Sequence, residues 1–439
     1  NARAKPPTAR TRPNGHPLLM PTPIGNGSDS ARRVAALGPV LWLTFINSVG
    51  TGIVTNGIYF LAKSAYGLGT KGNFALGVVL GLTYIAGALA VGPILNWAKR
   101  SPRASTRGAF CLALIGCGVL CIVPLAAKAA GLQGPWPAWL LVAAYSPLTG
   151  CIWPMTESYL SGGRRGPVLR RALGLFNIVW STALVVAMWA IGPLVKERPL
   201  EVIAVLGLLH LVAIAIVRVL PAEPAAHTHE SHEPHPQVYE RLLGAHRLLL
   251  PMGYLIVSTM SPYLPTAFER MGIASAWHTP LTATWHATRV AGFVWLQHDH
   301  RWHGRWWAPV LATVTLVAGF AMVMLAPKFV SPDSGEWPIV VFVAGLALLG
   351  LGVATVYTGA LYYAMSVGGA EVDAGGTHEA LIGVGYTVGP GIGLAATVAI
   401  DARIMPASVF EWLVAAAIVS LAAGTWALVG SRRKSIGSP

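Results

Sequence analysis

The sequence predicts an all-α membrane protein with twelve transmembrane helices in two pseudo-symmetric six-helix bundles. Three observations carry this prediction. Of the 439 residues, 54% are hydrophobic and only 11% are charged, with a mean hydropathy of +0.58; a soluble domain carries about 25% charged residues. The apolar residues fall into twelve successive runs, each long enough to cross a bilayer as a helix. The basic residues crowd into alternate connections between those runs.

Residues 1–34 are polar, Pro-rich and aperiodic, and are expected to form a disordered tail. Six spans are predicted near 38–62, 73–96, 108–127, 138–160, 170–194 and 200–220, which places an N-terminal bundle at 35–220. A hydrophilic linker at 221–247 follows. Six more spans lie near 248–268, 276–297, 308–327, 338–365, 380–400 and 408–429, giving a C-terminal bundle at 248–430 and a short tail at 431–439. Lipid offers no partner to a backbone N–H or C=O, so these runs must be helices that satisfy their own backbone.

With the N-terminus placed inside, the inside segments hold 22 Lys and Arg and the outside segments 8; the remaining one is Arg289. This follows the positive-inside rule and predicts a multi-pass protein of a bacterial inner membrane with both termini cytoplasmic. The net charge of +14 is thus a product of topology, and no nucleic-acid partner is expected. The four cysteines, Cys111, Cys117, Cys121 and Cys151, lie in apolar stretches and read as small buried hydrophobes.

The halves carry a faint repeat. Thr149-Gly150 in span 4 precedes Ala172-Leu173 in span 5 much as Thr358-Gly359 in span 10 precedes Ala380-Leu381 in span 11, at an offset of 208 or 209 residues. Parallel repeats of this kind are a mark of transporter halves.

Twelve spans, cytoplasmic termini and a long linker after span 6 resemble the major facilitator superfamily, over residues 35–430. That family carries Gly-x-x-x-Asp-Arg-x-Gly-Arg between spans 2 and 3. The matching stretch here is Gly92-Pro93-Ile94-Leu95-Asn96-Trp97-Ala98-Lys99-Arg100, with Asn96 in place of the acid and Trp97 in place of the first Arg. The loop after span 8, Arg301-Trp302-His303-Gly304-Arg305, keeps an Arg-x-x-Gly-Arg fragment. Span 11 carries Gly385-x-x-x-Gly389-Pro390-x-x-Gly393, similar to a Gly-Pro motif of some members. The resemblance implies the major facilitator fold, with spans 1, 4, 7 and 10 around a central cavity.

Arg289 is the most informative single residue. It sits about two-thirds along span 8, where even the mildest scale puts the cost of an Arg at roughly 2.5–3.5 kcal/mol. His278, Thr282, Trp285 and Arg289 share one helix face, and His286 adjoins it. Arg289 and His286, with Trp285 as a wall, are expected to hold an anionic group. The plainer alternative is an Arg that snorkels to the interface or pairs with a carboxylate. Glu157, late in span 4 beyond Pro154, is a candidate for proton coupling; its alternative is an interfacial Glu paired with Arg164, Arg165 or Arg170. Polar stripes run along the implied cavity helices: Thr44, Asn47, Thr51 and Thr55; Tyr145, Thr149 and Thr156; Tyr254, Ser258 and Ser261; Thr355, Thr358, Tyr362 and Ser366. Of these Asn47 and Tyr362 are the better substrate candidates, since Ser and Thr commonly serve as packing groups. Trp153, Trp180 and Trp285 lie deep enough to wall a pocket.

The linker segment His227-Thr228-His229-Glu230-Ser231-His232-Glu233-Pro234-His235 suits weak divalent-metal binding or simple solvation. The stretch 366–379 reads as an acidic loop, with Glu371, Asp373 and Glu379. Its glycines lack the Lys-Ser/Thr ending of a phosphate loop. No compact nucleophile–base or metal-ligand set appears within the spans, so an enzyme is not expected, and no cofactor is. The expectation is a monomeric secondary active transporter of a small polar or anionic organic solute, working by alternating access with proton coupling. The alternative is a non-transporting membrane receptor or assembly subunit that retains the transporter fold.

Overall fold

The computed structural model describes residues 34–98, 100, 104–226, 235–367 and 372–435. Each long apolar run is helical. The first crossing is α1 (Leu37–Gly50), a π-helical turn (Thr51–Asn56) and α2 (Ile58–Tyr66), closed by Gly67 at φ 67°. It is followed by α3 (Thr70–Ala98), α4 (Thr106–Ala129), α5 (Trp136–Ser161), α6 (Gly166–Ile191) and α7 (Pro199–Val217). The second half has α8 (Gln237–Met260) with a short continuation α9 (Leu264–Arg270), then α10 (His278–His298), α11 (Trp307–Leu325), α12 (Trp337–Val367), α13 (Val372–Asp401) and α14 (Phe410–Ser435). Helix starts follow local chemistry. Ser105 accepts a hydrogen bond from the Gly108 N–H at 3.0 Å as the cap of α4, and α6 and α7 open on Pro167 and Pro199.

Among the described residues, eleven crossings have the length and apolarity of a membrane span. The twelfth is α10, where Arg289 and three histidines dilute a helix of 21 residues. Outward-facing positions carry large apolar side chains that no described residue covers, such as Trp42, Leu112, Val314 and Leu428.

Two expected boundaries are corrected. Residues 237–247, assigned above to the linker, are the first turns of α8. The stretch 366–379, expected as a loop, is mostly helix, because α12 runs to Val367 and α13 begins at Val372. Acidic residues suit a helix N-terminus, so their clustering was a poor loop signal. Glu379 therefore sits two turns inside α13 and is buried. Most of the His-rich segment, residues 227–234, lies outside the described residues, as do 1–33 and 436–439. His235 is described and meets Glu240 at 3.2 Å.

The helices pack as two groups, α1 to α7 and α8 to α14, which meet chiefly where α3 crosses α13 and α6 crosses α10. Gly81 explains the first crossing. A Cβ there would lie 2.4 Å from the Thr387 backbone N and 2.5 Å from the Tyr386 carbonyl carbon. Only a residue without a side chain lets the two backbones touch. Gly350 does the same for α12 against α10, where a Cβ would fall 2.1 Å from the Trp285 carbonyl oxygen and 2.9 Å from the Arg289 N. Any larger side chain would push away the helical turn that carries the candidate site.

The face from which α1 starts and on which α14 ends is called here the terminal face, and the opposite one the far face. The far face is latched between the two groups. Lys63 on α2 meets Glu269 on α9 at 2.5 Å, and Lys71 on α3 meets Asp401 on α13 at 2.6 Å. The hydroxyls of Thr70 and Thr266 lie 2.7 Å apart between them. Beneath this polar layer Phe60 approaches Phe268 at 6.2 Å, and Phe268 stacks on His278 at 5.0 Å.

Candidate functional site

α10 places Arg289 eleven residues from one helix end and nine from the other, so at a rise of about 1.5 Å per residue it sits near the middle of the crossing. Arg289 is 1% exposed. Its Nε donates to Ser181 Oγ at 3.1 Å and its Nη2 to His286 Nδ1 at 3.0 Å. The guanidinium lies 4.1 Å from the Trp180 ring centroid and 4.8 Å from that of Trp285. No carboxylate pairs with it among the described residues. Two indole faces therefore offset part of the charge, at about 0.5–2 kcal/mol each. Arg289 neither snorkels nor pairs with Glu157.

The donors around this charge are incompletely used. Because Nη2 can only donate, His286 Nδ1 accepts and the ring proton sits on Nε2. His286 Nε2 and Trp285 Nε1 are buried, and neither has a hydrogen-bond partner among the described residues. Arg289 Nη1 also lacks one. Buried donors of this kind cost free energy until something accepts from them.

Arg289 and Trp285 line a small cavity of about 30 Å³ where the two helix groups meet. Trp180, Tyr59, Tyr254, Tyr386, Ser258 and Ser261 share its wall with Thr51, Thr55 and Asn56. Helical spacing alone points Asn47, Thr51 and Thr55 along one face. The π-helical turn adds a residue to that face, bringing Asn56 into the wall, where its Nδ2 donates to the Thr51 carbonyl at 3.2 Å. Isolated π turns recur at functional sites. Asn56, Tyr59 and Tyr386 were not singled out by the sequence. Only the Gly385-x-x-x-Gly389 run around Tyr386 hinted at a close helix contact.

Other expected site residues are placed elsewhere. Asn47 is buried with neither side-chain polar atom bonded among the described residues, but it is not part of the cavity wall. Many hydroxyls of the polar stripes turn back on their own helix: Thr44 to the Val40 carbonyl, Thr149 to Ser146, Thr156 to Ile152 and Thr355 to Leu351. Trp153 packs edge-on against Phe176. Tyr362 sits at the terminal face, stacked on His303 at 4.1 Å, with its hydroxyl 3.2 Å from His303 Nδ1 and 3.3 Å from that of Tyr239.

His303 lies in the connection between α10 and α11, outside the spans. Burial, and then the neighbouring His300, push its pKa down to about 4. The unfolded chain binds more protons there between pH 6.5 and 4, so stability falls as pH drops through that window. His303→Asn is expected to flatten this dependence, as measured by the thermal midpoint in detergent at pH 7, 5.5 and 4.5. An unchanged slope would remove His303 as its source.

Glu157 lies one turn from the end of α5, and no ion pair holds it among the described residues. Arg164, one of its expected partners, instead donates to the carbonyls of Ala35, Tyr159 and Leu160. Glu379, on α13 in the other helix group, is the carboxylate within electrostatic reach of Glu157. Tyr84 on α3 donates its hydroxyl to Glu379, again across the two groups. Beside this pair, toward the terminal face, is a cavity of about 210 Å³ lined from α3, α5 and α13 by residues including Met155, Ser158 and Gly376. Sequence reasoning missed Glu379 because it counted the residue as part of a loop.

No family model matches the chain, and no curated protein sequence does. Solved structures do. A mutant form of nucleoside transporter NupG matches at a TM-score of 0.64 and 10% identity, covering 89% of this chain and 99% of that one. NupG itself matches at 0.62 and 11% identity, over 89% of this chain and 98% of that one. A bacterial homolog of the human lysosomal transporter Spinster, inward-facing and unoccupied, matches at 0.60 and 12% identity, over 90% and 96%. Across nearly the whole of each chain the path of the helices is shared while the sequence is not: this protein has the major facilitator fold.

Proposed function

We propose that the protein is a secondary active transporter that carries a small polar or anionic organic solute by alternating access. The observation that carries this reading is Arg289, a mid-membrane cation with no counter-carboxylate among the described residues and an edge on the cavity between the two helix groups. A charge kept there at such cost suits binding better than packing. The neighbours in fold include a nucleoside transporter. A nucleoside is uncharged, so the cation favours an anion here. Arg289 and Trp285 are the proposed contacts, with His286 as the group that orients the guanidinium. Tyr362 and Asn47 are secondary candidates, since neither belongs to the cavity wall in this conformation.

The charge split of the sequence makes the terminal face cytoplasmic in this proposal, in a bacterial inner membrane, with the protein acting as a monomer. Proton coupling is assigned to Glu157 together with Glu379. The His-rich segment is left as a weak divalent-metal tract at most.

The far-face latch supplies the test of alternating access. Lys63→Cys and Glu269→Cys, joined by a short thiol cross-linker, hold that face shut. Cross-linking is expected to stop solute counterflow in proteoliposomes, and a cleavable linker to restore it on reduction. Counterflow that continues after complete cross-linking would overturn the alternating-access reading. Absence of counterflow in the uncross-linked protein favours the receptor or assembly-subunit alternative, which Asn96 and Trp97 support, since Trp97 is exposed on the surface.

A further inference from the structure

We infer that the solute is a flat monocarboxylate: one carboxylate on an aromatic or conjugated body. The inference rests on the proposed binding role of Arg289 and narrows it to a chemical class.

The first argument is charge. Arg289 is the single charged residue in the cavity wall among the described residues. One negative charge balances it. A dianion would carry a second charge into a buried site whose wall holds no second cation among the described residues, which costs several kcal/mol.

The second argument is donor geometry. Trp180 and Trp285 cover the guanidinium faces, so a ligand can reach only its edge. On that edge Nε and one N–H of Nη2 are engaged by Ser181 and His286, which leaves Nη1 and the second N–H of Nη2. One turn earlier on the same helix, the Trp285 Nε1–H also lacks an acceptor among the described residues. Unused N–H groups on successive turns of α10, from Arg289 and from Trp285, suit the two oxygens of one carboxylate.

The third argument concerns the rest of the wall. Its aliphatic hydroxyls and amide are largely spent on backbone: Ser258 donates to the Gly385 carbonyl at 2.7 Å, Ser261 to Val257 at 2.9 Å, and Asn56 to Thr51 at 3.2 Å. What remains of the wall is aromatic, from Tyr59, Trp180, Tyr254 and Tyr386, with the phenol hydroxyls at the ends of flat rings. Tyr254 and Tyr386 stand edge to face at 5.6 Å and 86°. Such rings favour a flat ligand by about 0.5–1.5 kcal/mol per pair beyond its burial. The cavity of about 30 Å³ must widen for any solute, and a thin one displaces the fewest side chains.

The test is equilibrium binding to the purified full-length chain in detergent, with benzoate, cyclohexanecarboxylate, benzamide, phthalate and uridine as probes. Benzoate is expected to bind most tightly, about tenfold or more ahead of cyclohexanecarboxylate and further ahead of benzamide, phthalate and uridine. Arg289→Gln is expected to weaken benzoate about 100-fold. Trp285→Phe keeps a ring but removes the donor, and is expected to weaken it about 3- to 10-fold; this variant decides the matter if the first does not fold. Equal binding of cyclohexanecarboxylate overturns the flat body, equal binding of benzamide or uridine overturns the charge, and tighter phthalate overturns the single charge. The readouts separate the two levels. Benzoate that binds but shows no counterflow sinks the transporter reading and leaves the site. Counterflow of another solute without benzoate binding sinks the ligand class and leaves the transporter.

Discussion

Arg289→Gln is expected to lower solute counterflow by about 100-fold while leaving the thermal midpoint unchanged or raised. The two signs come from one cause. A charge-assisted contact to a bound anion typically costs about 2–5 kcal/mol when one partner is truncated, and about 3 kcal/mol is more than 100-fold. Without a solute, however, the guanidinium is a liability. It is buried, and what compensates it in the chain is a hydroxyl, a neutral imidazole and two indole faces. Taking a charge out of water costs several kcal/mol, and neutral partners repay only part. Gln keeps a hydrogen-bonding head for Ser181 and removes that penalty. A structural Arg would behave in the opposite way, with the midpoint falling steeply and residual flux tracking the amount of folded protein. Flux in proteoliposomes and the unfolding midpoint of the same preparation distinguish the two. Arg289→Lys should be intermediate in flux, because a point charge cannot reproduce the fork that engages Ser181 and His286 together.

Glu379→Gln is expected to uncouple transport from the proton gradient without stopping exchange. Coupling one proton to one solute lets a gradient of one pH unit sustain about tenfold accumulation. The variant should fall to simple equilibration, with counterflow retained. Glu157→Gln should do the same, and the double variant should add little. The reason lies in where the two carboxyls are anchored. Glu157 rides on α5 and Glu379 on α13, so under the proposed alternating access their separation would change as the two helix groups move. When close, one proton shared between them removes a repulsion between two ionised carboxylates. When apart, nothing requires it. Tyr84 on α3 donates to Glu379, Tyr357 on α12 is within electrostatic reach of both carboxyls and packs edge-on against His378, and Arg289 is the one fixed cation in that region among the described residues. The 210 Å³ cavity, walled by Met155, Ser158 and Gly376 near them in the chain, has room for the water that would deliver a proton from the terminal face. If Glu379→Gln keeps full gradient-driven accumulation, the coupling group lies elsewhere.

Parts of this site were legible in the amino-acid order. Arg289 stood out because a charge in an apolar run has no cheap explanation. Trp285 and His286 followed from helical periodicity, and the structure sets both against the guanidinium. Periodicity failed in three places, for separate reasons. At Thr51–Asn56 the helix widens by a π turn, so Asn56 enters a face that regular spacing denies it. At 372–379 the cluster of acids and glycines concealed the opening of a helix, and so hid Glu379. Along the polar stripes, hydroxyls that read as cavity-lining are satisfied by the carbonyl one turn back, which a sequence pattern cannot separate from a hydroxyl left for a ligand.

The sequence by itself determined the all-helical crossing pattern, because lipid leaves the backbone no other way to satisfy its polar groups and every crossing must be paid for in consecutive apolar residues. It also determined that one cation would be submerged. Which groups surround that cation was decided only by tertiary structure. Ser181, Trp180, Tyr254 and Tyr386 arrive from three other helices, and Tyr84 meets Glu379 from opposite groups. Those meetings depend on how closely helices approach, and glycines such as Gly81 and Gly350 set that distance through contacts with residues far away in the chain.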